Sequence, residues 1–144
     1  EENLAQNQVD NVQVFAEAVG SADGELHLTT ATGVAVRHST AQDSESADLT
    51  VKSVPLASVI DRIETHHIDF LKMDCEGGEY DILLHADDSS LNAIKHICME
   101  YHDDLTPYTH DDLVVFLSEK GFDVRVSANP AHTQIGFLYA RKLG

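Results

Sequence analysis

The architecture of this chain can be read outward from residues 68–79, IDFLKMDCEGGE. The first half, Ile68 to Met73, is a nearly unbroken apolar run, which is typical of a parallel strand covered on both faces. Gly77 and Gly78 then favour a tight turn, because glycine tolerates backbone conformations that other residues avoid. Helical spacing resumes from Glu79, so the stretch predicts a buried strand, a turn and a helix.

The residues after this stretch predict the second half of an open sheet. Ile94 to Tyr101 is a second apolar strand. A capping box at Thr109 opens a helix that stops at Gly121. Residues 122–126 and 135–140 are two further strands, joined by a connection short enough for an antiparallel hairpin. This order predicts the α/β class, with helices on both faces of the sheet and a C-terminal antiparallel hairpin.

The residues before Ile68 alternate between short helices and strands. A predicted helix around Leu4 ends near Asn11, and an amphipathic helix starts near Leu56. The predicted strands are Val12–Gly20, Glu25–Thr30 and Leu49–Val54. The last two strands are separated by the polar stretch Ser39–Asp48, which we expect to be a mobile loop.

Composition limits the class of protein. With 144 residues, 42% hydrophobic and 24% charged, the chain has the make-up of a single globular domain, residues 1–144. Its formal net charge of -16 would repel a phosphate backbone, so we expect no nucleic-acid partner. No apolar run approaches the roughly 20 residues that span a bilayer, and no signal segment opens the chain. We therefore expect a cytoplasmic protein with no membrane partner.

Carboxylates gather around the turn that follows Met73. Asp74, Glu76 and Glu79 flank the two glycines, and ligands of open α/β sheets bind beyond the carboxyl ends of the parallel strands. A carboxylate there can accept a proton, hold a cationic group or ligate a hard metal. Asp74 and Glu76 also suit a plain helix-capping role, and the residues alone leave both interpretations open.

Glu100 and His102 are predicted to leave the neighbouring strand on one face, across the same crevice. A histidine there can act as a general base near neutral pH, although it also fits a surface side chain in a chain with nine histidines. We expect the acidic pair Asp103 and Asp104 to supply surface charge and the start of a helix.

The triplet Asp74-Cys75-Glu76 permits a further interpretation. Some glycosyltransferases hold a divalent metal on a nucleotide sugar with an acid-x-acid pair of this kind. A metal-dependent glycosyltransferase is therefore a third functional hypothesis.

Residues 68–79 resemble the central motif of the FkbM family of S-adenosylmethionine-dependent methyltransferases. Further segments are similar to the family in the same order: Glu2-Asn3-Leu4 with Asn7, Ala18-Val19-Gly20 with Asp23-Gly24-Glu25, Met99-Glu100-Tyr101-His102, and Gly121-Phe122. Cys75 and Gly78 depart from the motif, where an aliphatic residue and a small residue such as alanine are usual.

The resemblance implies a Rossmann-like methyltransferase sheet and methyl transfer from S-adenosylmethionine to a hydroxyl of a small molecule or sugar, with no obligatory metal. It places Glu17 and Ala18 on the adenine side of the cofactor. Asp74 and Gly77 also belong to the implied cofactor site. The implied catalytic residues are Asp74, Glu76, Glu100 and His102.

Family members carry a Gly-rich turn and a ribose-binding acid upstream of the region that matches Glu1, and this sequence contains neither. We therefore expect a truncated domain whose N-terminal strands are missing and which binds the cofactor weakly by itself. Two open sheet edges should result. We expect either direct pairing of Val12–Ala18 with Ile68–Met73, or a homodimer in which a second copy fills the gap.

Two functional classes remain open ahead of the glycosyltransferase hypothesis. The first is an O-methyltransferase domain, of which this chain is a fragment. The alternative is a catalytically silent binding or assembly module derived from the same fold.

Overall fold

The computed structural model describes residues 2–28 and 49–144, and the predicted loop Ser39–Asp48 lies outside them. The helices are α1 (Glu2–Gln6), α2 (Leu56–Asp61), α3 (Gly78–Leu84), α4 (Asp88–Asn92) and α5 (His110–Glu119). The strands are β1 (Ala18–Gly20), β2 (Gly24–Leu28), β3 (Leu49–Pro55), β4 (Leu71–Met73), β5 (His96–His102), β6 (Phe122–Ala128) and β7 (Ile135–Lys142). This mixture of helices and strands confirms the predicted α/β class.

The larger sheet has four strands in the order β4-β5-β7-β6. β4 and β5 run parallel, so their carboxyl ends lie at the same edge of the sheet. β6 and β7 pair antiparallel, which confirms the predicted hairpin. The parallel pair brings the residues after Met73 and those after His102 together.

The smaller sheet has the order β1-β3-β2, and it corrects the prediction for the N-terminal region. β1 pairs in parallel with β3, so direct pairing of Val12–Ala18 with Ile68–Met73 is wrong. Lys52 of β3 forms an ion pair with Glu17, next to β1, and thereby ties the two strands together. The predicted strand is also shorter: Val12 and Val14 are 49% and 52% exposed and lie outside it, because alternation alone supplies no backbone partner.

β4 differs from the buried central strand predicted for residues 68–73. Within the described residues it is an edge strand, paired with β5 alone. Met73 is buried, but the Lys72 side chain is 63% exposed, so only one face of the strand is covered. Ile68 reaches the sheet through an isolated parallel bridge to Ile94. The cation in the middle of the apolar run explains why the second face stays open to water.

The main core lies on one face of the four-stranded sheet. Ile97, Met99 and Leu138 of the sheet are fully or almost fully buried in one cluster with Leu113 and Leu117 of α5. On the opposite face, Phe137 and Tyr139 of β7 are 50% and 37% exposed. In the described part of the chain, no helix covers that face around these two rings. This differs from the expected arrangement with helices on both faces.

The helix signals in the sequence have mixed outcomes. The capping box at Thr109 is confirmed, because its side chain and that of Asp112 bond reciprocally to the backbone at the start of α5. Helix α4 is not among the predicted helices. Its N-cap residue is Asp87, whose carboxylate accepts the backbone N–H of Ser90 at 2.6 Å. A helix this short has too little periodicity to be recognised from sequence.

Among residues 2–28 and 49–144, no helix combines the length and the hydropathy that crossing a membrane requires.

Candidate functional site

The turn between β4 and α3 has an unusual backbone. Glu76 and Gly77 both have positive φ angles, 50° and 96°. Gly77 is the N-cap residue of α3, and no side chain caps this helix through its N-cap position. Neither Asp74 nor Glu76 therefore caps α3 from the N-cap position.

Glu79 holds this turn from inside. Its side chain is fully buried, and its two carboxylate oxygens accept the backbone N–H groups of Cys75 at 2.6 Å and Gly77 at 2.8 Å. These are the amides on either side of Glu76. The carboxylate thus occupies the small anion-binding concavity that successive left-handed residues create. It fixes the backbone from which the Glu76 side chain projects.

His102 joins the two strand ends. It is 4% exposed and lies at the carboxyl end of β5. Its Nε2 atom is 3.5 Å from Oε2 of Glu76, and its Nδ1 atom is 3.7 Å from Oε1 of Glu79. Nδ1 is buried and has no hydrogen-bond partner among the described residues. The structure therefore brings together Glu76 and His102, two residues that the sequence placed on separate strands.

Asp74 lies at the open side of this cluster. Its side chain is 47% exposed and accepts a 2.8 Å hydrogen bond from Nζ of Lys72. This bond and the charge of Lys72 lower the pKa of Asp74, and the nearby His102 lowers it further. Asp74 is therefore ionised at neutral pH and half open to solvent, which suits a group that meets a cation.

The remaining predicted site residues lie apart from this cluster. Glu100 is partly exposed and sits opposite Phe137 of β7. Ala18 lies in the smaller sheet, opposite Ser53. Beside it, the carboxylate of Glu17 binds Arg62 and Lys52.

Hydrogen bonds and charge from those two cations, Arg62 first, lower the pKa of Glu17. The Glu17 carboxylate is therefore already engaged within the chain.

A second hydrogen-bond network centres on Asp103, for which the sequence predicts only surface charge or the start of a helix. The Asp103 side chain is only 8% exposed. It accepts Oη–H of Tyr80 at 2.5 Å, the backbone N–H of His110 at 2.7 Å and Nδ1–H of His110 at 2.7 Å. Burial alone would raise the pKa of Asp103, but these hydrogen bonds outweigh it and lower the pKa. No local sequence signal marks the network, because the partners of Asp103 come from two separate helices, α3 and α5.

The residues after Asp103 close over the turn. A Cβ atom placed on Gly77 would lie 2.9 Å from Cβ of Leu105 and 3.6 Å from the methyl group of Thr106. Only glycine fits here, both for this contact and for the left-handed backbone. The segment between β5 and α5 therefore forms one wall beside Glu76.

A cleft of about 200 Å³ lies elsewhere, at the C-terminal half of α3. It is lined by the ends of β1 and β3 together with Ile82, His85 and Ser90. None of the sequence-predicted site residues lines it. The candidate site is accordingly defined by the carboxylate and histidine cluster, not by this cleft.

Within the part of the chain that the structure describes, no three His, Cys, Asp or Glu side chains are placed to hold a metal ion together. The two acids of the triplet Asp74-Cys75-Glu76 contact different side chains: Asp74 pairs with Lys72, and Glu76 approaches His102. The geometry gives no support to a metal-dependent glycosyltransferase.

Comparison with known proteins agrees with the motif around this turn. The family described as "Methyltransferase FkbM domain" matches residues 2–124. The "AMB antimetabolite synthetase AmbE" of Pseudomonas aeruginosa is 35% identical over 74 residues, which is 49% of this chain but 4% of AmbE. The chain thus corresponds to a small part of that relative. No solved structure matches it. Because the family match covers most of its length, the chain belongs to the FkbM methyltransferase domain family.

Proposed function

We propose that this chain is part of an S-adenosylmethionine-dependent O-methyltransferase that acts on a hydroxyl group of a small molecule or sugar. The observation that carries the proposal is the convergence of Asp74, Glu76 and His102 at the carboxyl ends of two adjacent parallel strands. Ligands of open α/β sheets bind at this edge. The family match supports a methyltransferase, and the acceptor class is our inference.

The cluster fits the positively charged end of the cofactor. Asp74 and Glu76 are 47% and 49% exposed, so their carboxylates can meet a sulfonium cation without being buried as unpaired charges. When bound, S-adenosylmethionine supplies an electrophilic methyl group. In this proposal Gly77, Glu17 and Ala18 contact the rest of the cofactor, and Glu17 does so from a carboxylate already neutralised by Arg62 and Lys52.

The residues of the chain have distinct tasks in the transfer. A hydroxyl attacks well only if it is aligned and loses its proton as the new bond forms. His102 accepts that proton at Nε2, and the carboxylates of Glu76 and Glu79 stabilise the resulting imidazolium. In this proposal Glu100, two residues earlier on β5, supplies further negative charge from outside the cluster. The segment that covers Gly77 helps to exclude water.

The sheet is consistent with a Rossmann-like methyltransferase in which further strands lie beyond β4. β4 is an edge strand in the described residues, and β1 is the edge of the smaller sheet. A homodimer through these edges remains our proposal, now that direct pairing between them is wrong. Light scattering tests it, since a dimer has twice the 15.8 kDa mass of the chain. We expect the protein in the cytoplasm.

A catalytically silent module is the second candidate function. It is favoured by the engagement of Glu17 with two cations, because this carboxylate of the implied cofactor site is already neutralised within the chain. Calorimetric titration of this chain with S-adenosylmethionine measures how much of the cofactor site these residues form by themselves. We expect a dissociation constant weaker than about 1 μM, which corresponds to about -8 kcal/mol. Tighter binding would mean that these residues alone complete the cofactor site.

The decisive experiment measures methyl transfer by the natural protein that carries this domain. We expect Asp74→Asn and Glu76→Gln each to lower turnover by about a hundredfold or more while the melting temperature hardly changes. Asp88→Asn is the matched control, because Asp88 is 75% exposed and pairs with Lys120 away from the cluster. A variant that melts early yet keeps its turnover at lower temperature would show that the residue is structural.

A further inference from the structure

The segment from Asp103 to His110 lies where an acceptor would enter the proposed site. Leu105 and Thr106 pack on Gly77, directly beside the turn that carries Glu76. A ligand bound next to the Glu76 carboxylate therefore lies close to this segment. The segment also begins at the residue that follows His102.

The segment presents an aromatic ring on a rigid base. Tyr108 is 40% exposed, and its ring stacks on that of Tyr80 with centroids 6.4 Å apart and planes 19° apart. Tyr80 is fully buried and is pinned by its hydrogen bond to Asp103. The Thr106 hydroxyl bonds both the backbone N–H and the carbonyl of Tyr108 at 3.2 Å. A ring held this firmly loses little conformational freedom when a ligand stacks on it.

The segment also presents a defined hydrogen-bonding group. Asp103 is ionised and accepts Nδ1–H of His110, which leaves Nε2 as the ring nitrogen that is not bonded to Asp103. The imidazole stacks on Tyr101 at 4.3 Å, which fixes its plane. The His110 side chain is 27% exposed. Its Nε2 atom is therefore suited to share a hydrogen bond with a hydroxyl group, which can donate or accept.

The charges around the segment select against anions. Asp104 is exposed, and Asp111 is 87% exposed with its carboxylate 3.7 Å from Nε2 of His110. Residues 103–112 include no Lys or Arg. A phosphorylated acceptor would be repelled here, whereas a neutral hydroxyl carries no charge for these carboxylates to repel.

We propose that Asp103–His110 is the acceptor subsite and that it takes a neutral polyhydroxylated ring, a sugar, stacked on Tyr108 with one hydroxyl bonded to His110. This deepens the proposed function and rests on it. Tyr108 and His110 recognise the ring, and the reacting hydroxyl is left to the cluster around His102.

The test is an NMR titration of the full chain with methyl β-D-glucopyranoside as the probe. We expect saturable shifts of the Tyr108 ring and His110 imidazole signals, and binding of glucose 6-phosphate that is weaker by about fivefold or more. Absence of saturable shifts at these two side chains would overturn the proposal. So would tighter binding of the phosphorylated sugar.

Matched tyrosine variants distinguish binding at the subsite from nonspecific binding to exposed aromatic rings. Tyr108→Ala should weaken binding of the glucoside by about fivefold, as expected for loss of about 1 kcal/mol of stacking. Tyr139→Ala is the control, because Tyr139 is 37% exposed and stacks on His96 at 6.0 Å on the other face of the sheet. It should leave binding within about twofold. Equal losses in both variants would contradict the assignment.

Two further measurements keep the outcomes distinct. Tyr108→Leu preserves apolar contact with Tyr80, so it serves if the alanine variant fails to fold, and it should weaken binding in the same way. The measurement of methyl transfer by the natural protein reports on the proposed function separately. Methyl transfer by that protein without binding of the glucoside overturns only the subsite, whereas binding of the glucoside by a protein that transfers no methyl group overturns only the methyltransferase role.

Discussion

Replacing Glu79 with glutamine probes the centre of the candidate site. The change keeps the size and shape of a fully buried side chain but removes its charge. It also turns one of the two oxygens that hold Cys75 and Gly77 into an NH₂ group. That NH₂ group then faces a backbone N–H, so two donors meet in a place without solvent.

The cost can be worked out from these contacts. A hydrogen bond to a charged group contributes about 1.5–3 kcal/mol, and a buried donor left without a partner costs about 1–3 kcal/mol. Glu79→Gln loses one such bond and weakens the other, so we expect a loss of about 3 kcal/mol in the free energy of unfolding. For a chain of this size, that lowers the melting temperature by about 10 °C.

Thermal and urea unfolding followed by circular dichroism at pH 7 measure this loss. Glu76→Gln is the control, because Glu76 is 49% exposed and, among residues 2–28 and 49–144, its one ion-pair contact is the 3.5 Å approach to His102. We expect the control to lose less than about 1 kcal/mol. If both variants lose the same free energy, Glu79 does not hold the turn and the reasoning is refuted.

Two other stability predictions concern the neighbouring elements. Gly77→Ala should lower the free energy of unfolding by about 2–4 kcal/mol, because it adds a clash with Leu105 to an unfavourable positive φ. The control Gly121→Ala has φ 81° and open space around it, so it should lower the free energy of unfolding by about 1 kcal/mol. Equal losses would exclude the contribution of packing against Leu105. Asp103→Asn should cost about 2–4 kcal/mol at pH 7. The pKa of Asp103 is lowered from 3.8 in the folded protein, so its contribution to the free energy of unfolding is complete above pH 3.8 and disappears as the pH falls through the lowered pKa. In acid unfolding experiments, the difference in stability between wild type and variant should therefore close. The difference would remain constant if Asp103 were not ionised.

Local patterns in the sequence predicted much of the larger sheet and the helices on it. The capping box at Thr109, the stop at Gly121 and the alternation of the last two strands each depend on residues close together in the chain. The motif from Asp74 to Glu79 likewise marked the turn at a strand end. Such signals survive in any tertiary context, because they satisfy backbone groups within a few residues.

Contacts between distant residues could not be predicted in the same way. The pairing of β1 with β3 brings Glu17 to Lys52 and Arg62, both far along the chain. The alternation of Val12 and Val14 predicts a strand that does not form, because a strand needs a backbone partner and local sequence does not specify one. The Asp103 network joins Tyr80 and His110, so its acid looked like one more surface charge.

By itself, the sequence determined the α/β class, the family and the position of the acids at a strand end. Only the tertiary structure decided which acid does what: Glu79 is buried and holds the turn, Glu76 meets His102, and Asp74 faces solvent beside Lys72. The physical reason is that a carboxylate has the same chemistry wherever it stands in the chain. Its role depends on burial and on the donors around it, and these are supplied by residues that meet only when the chain has folded.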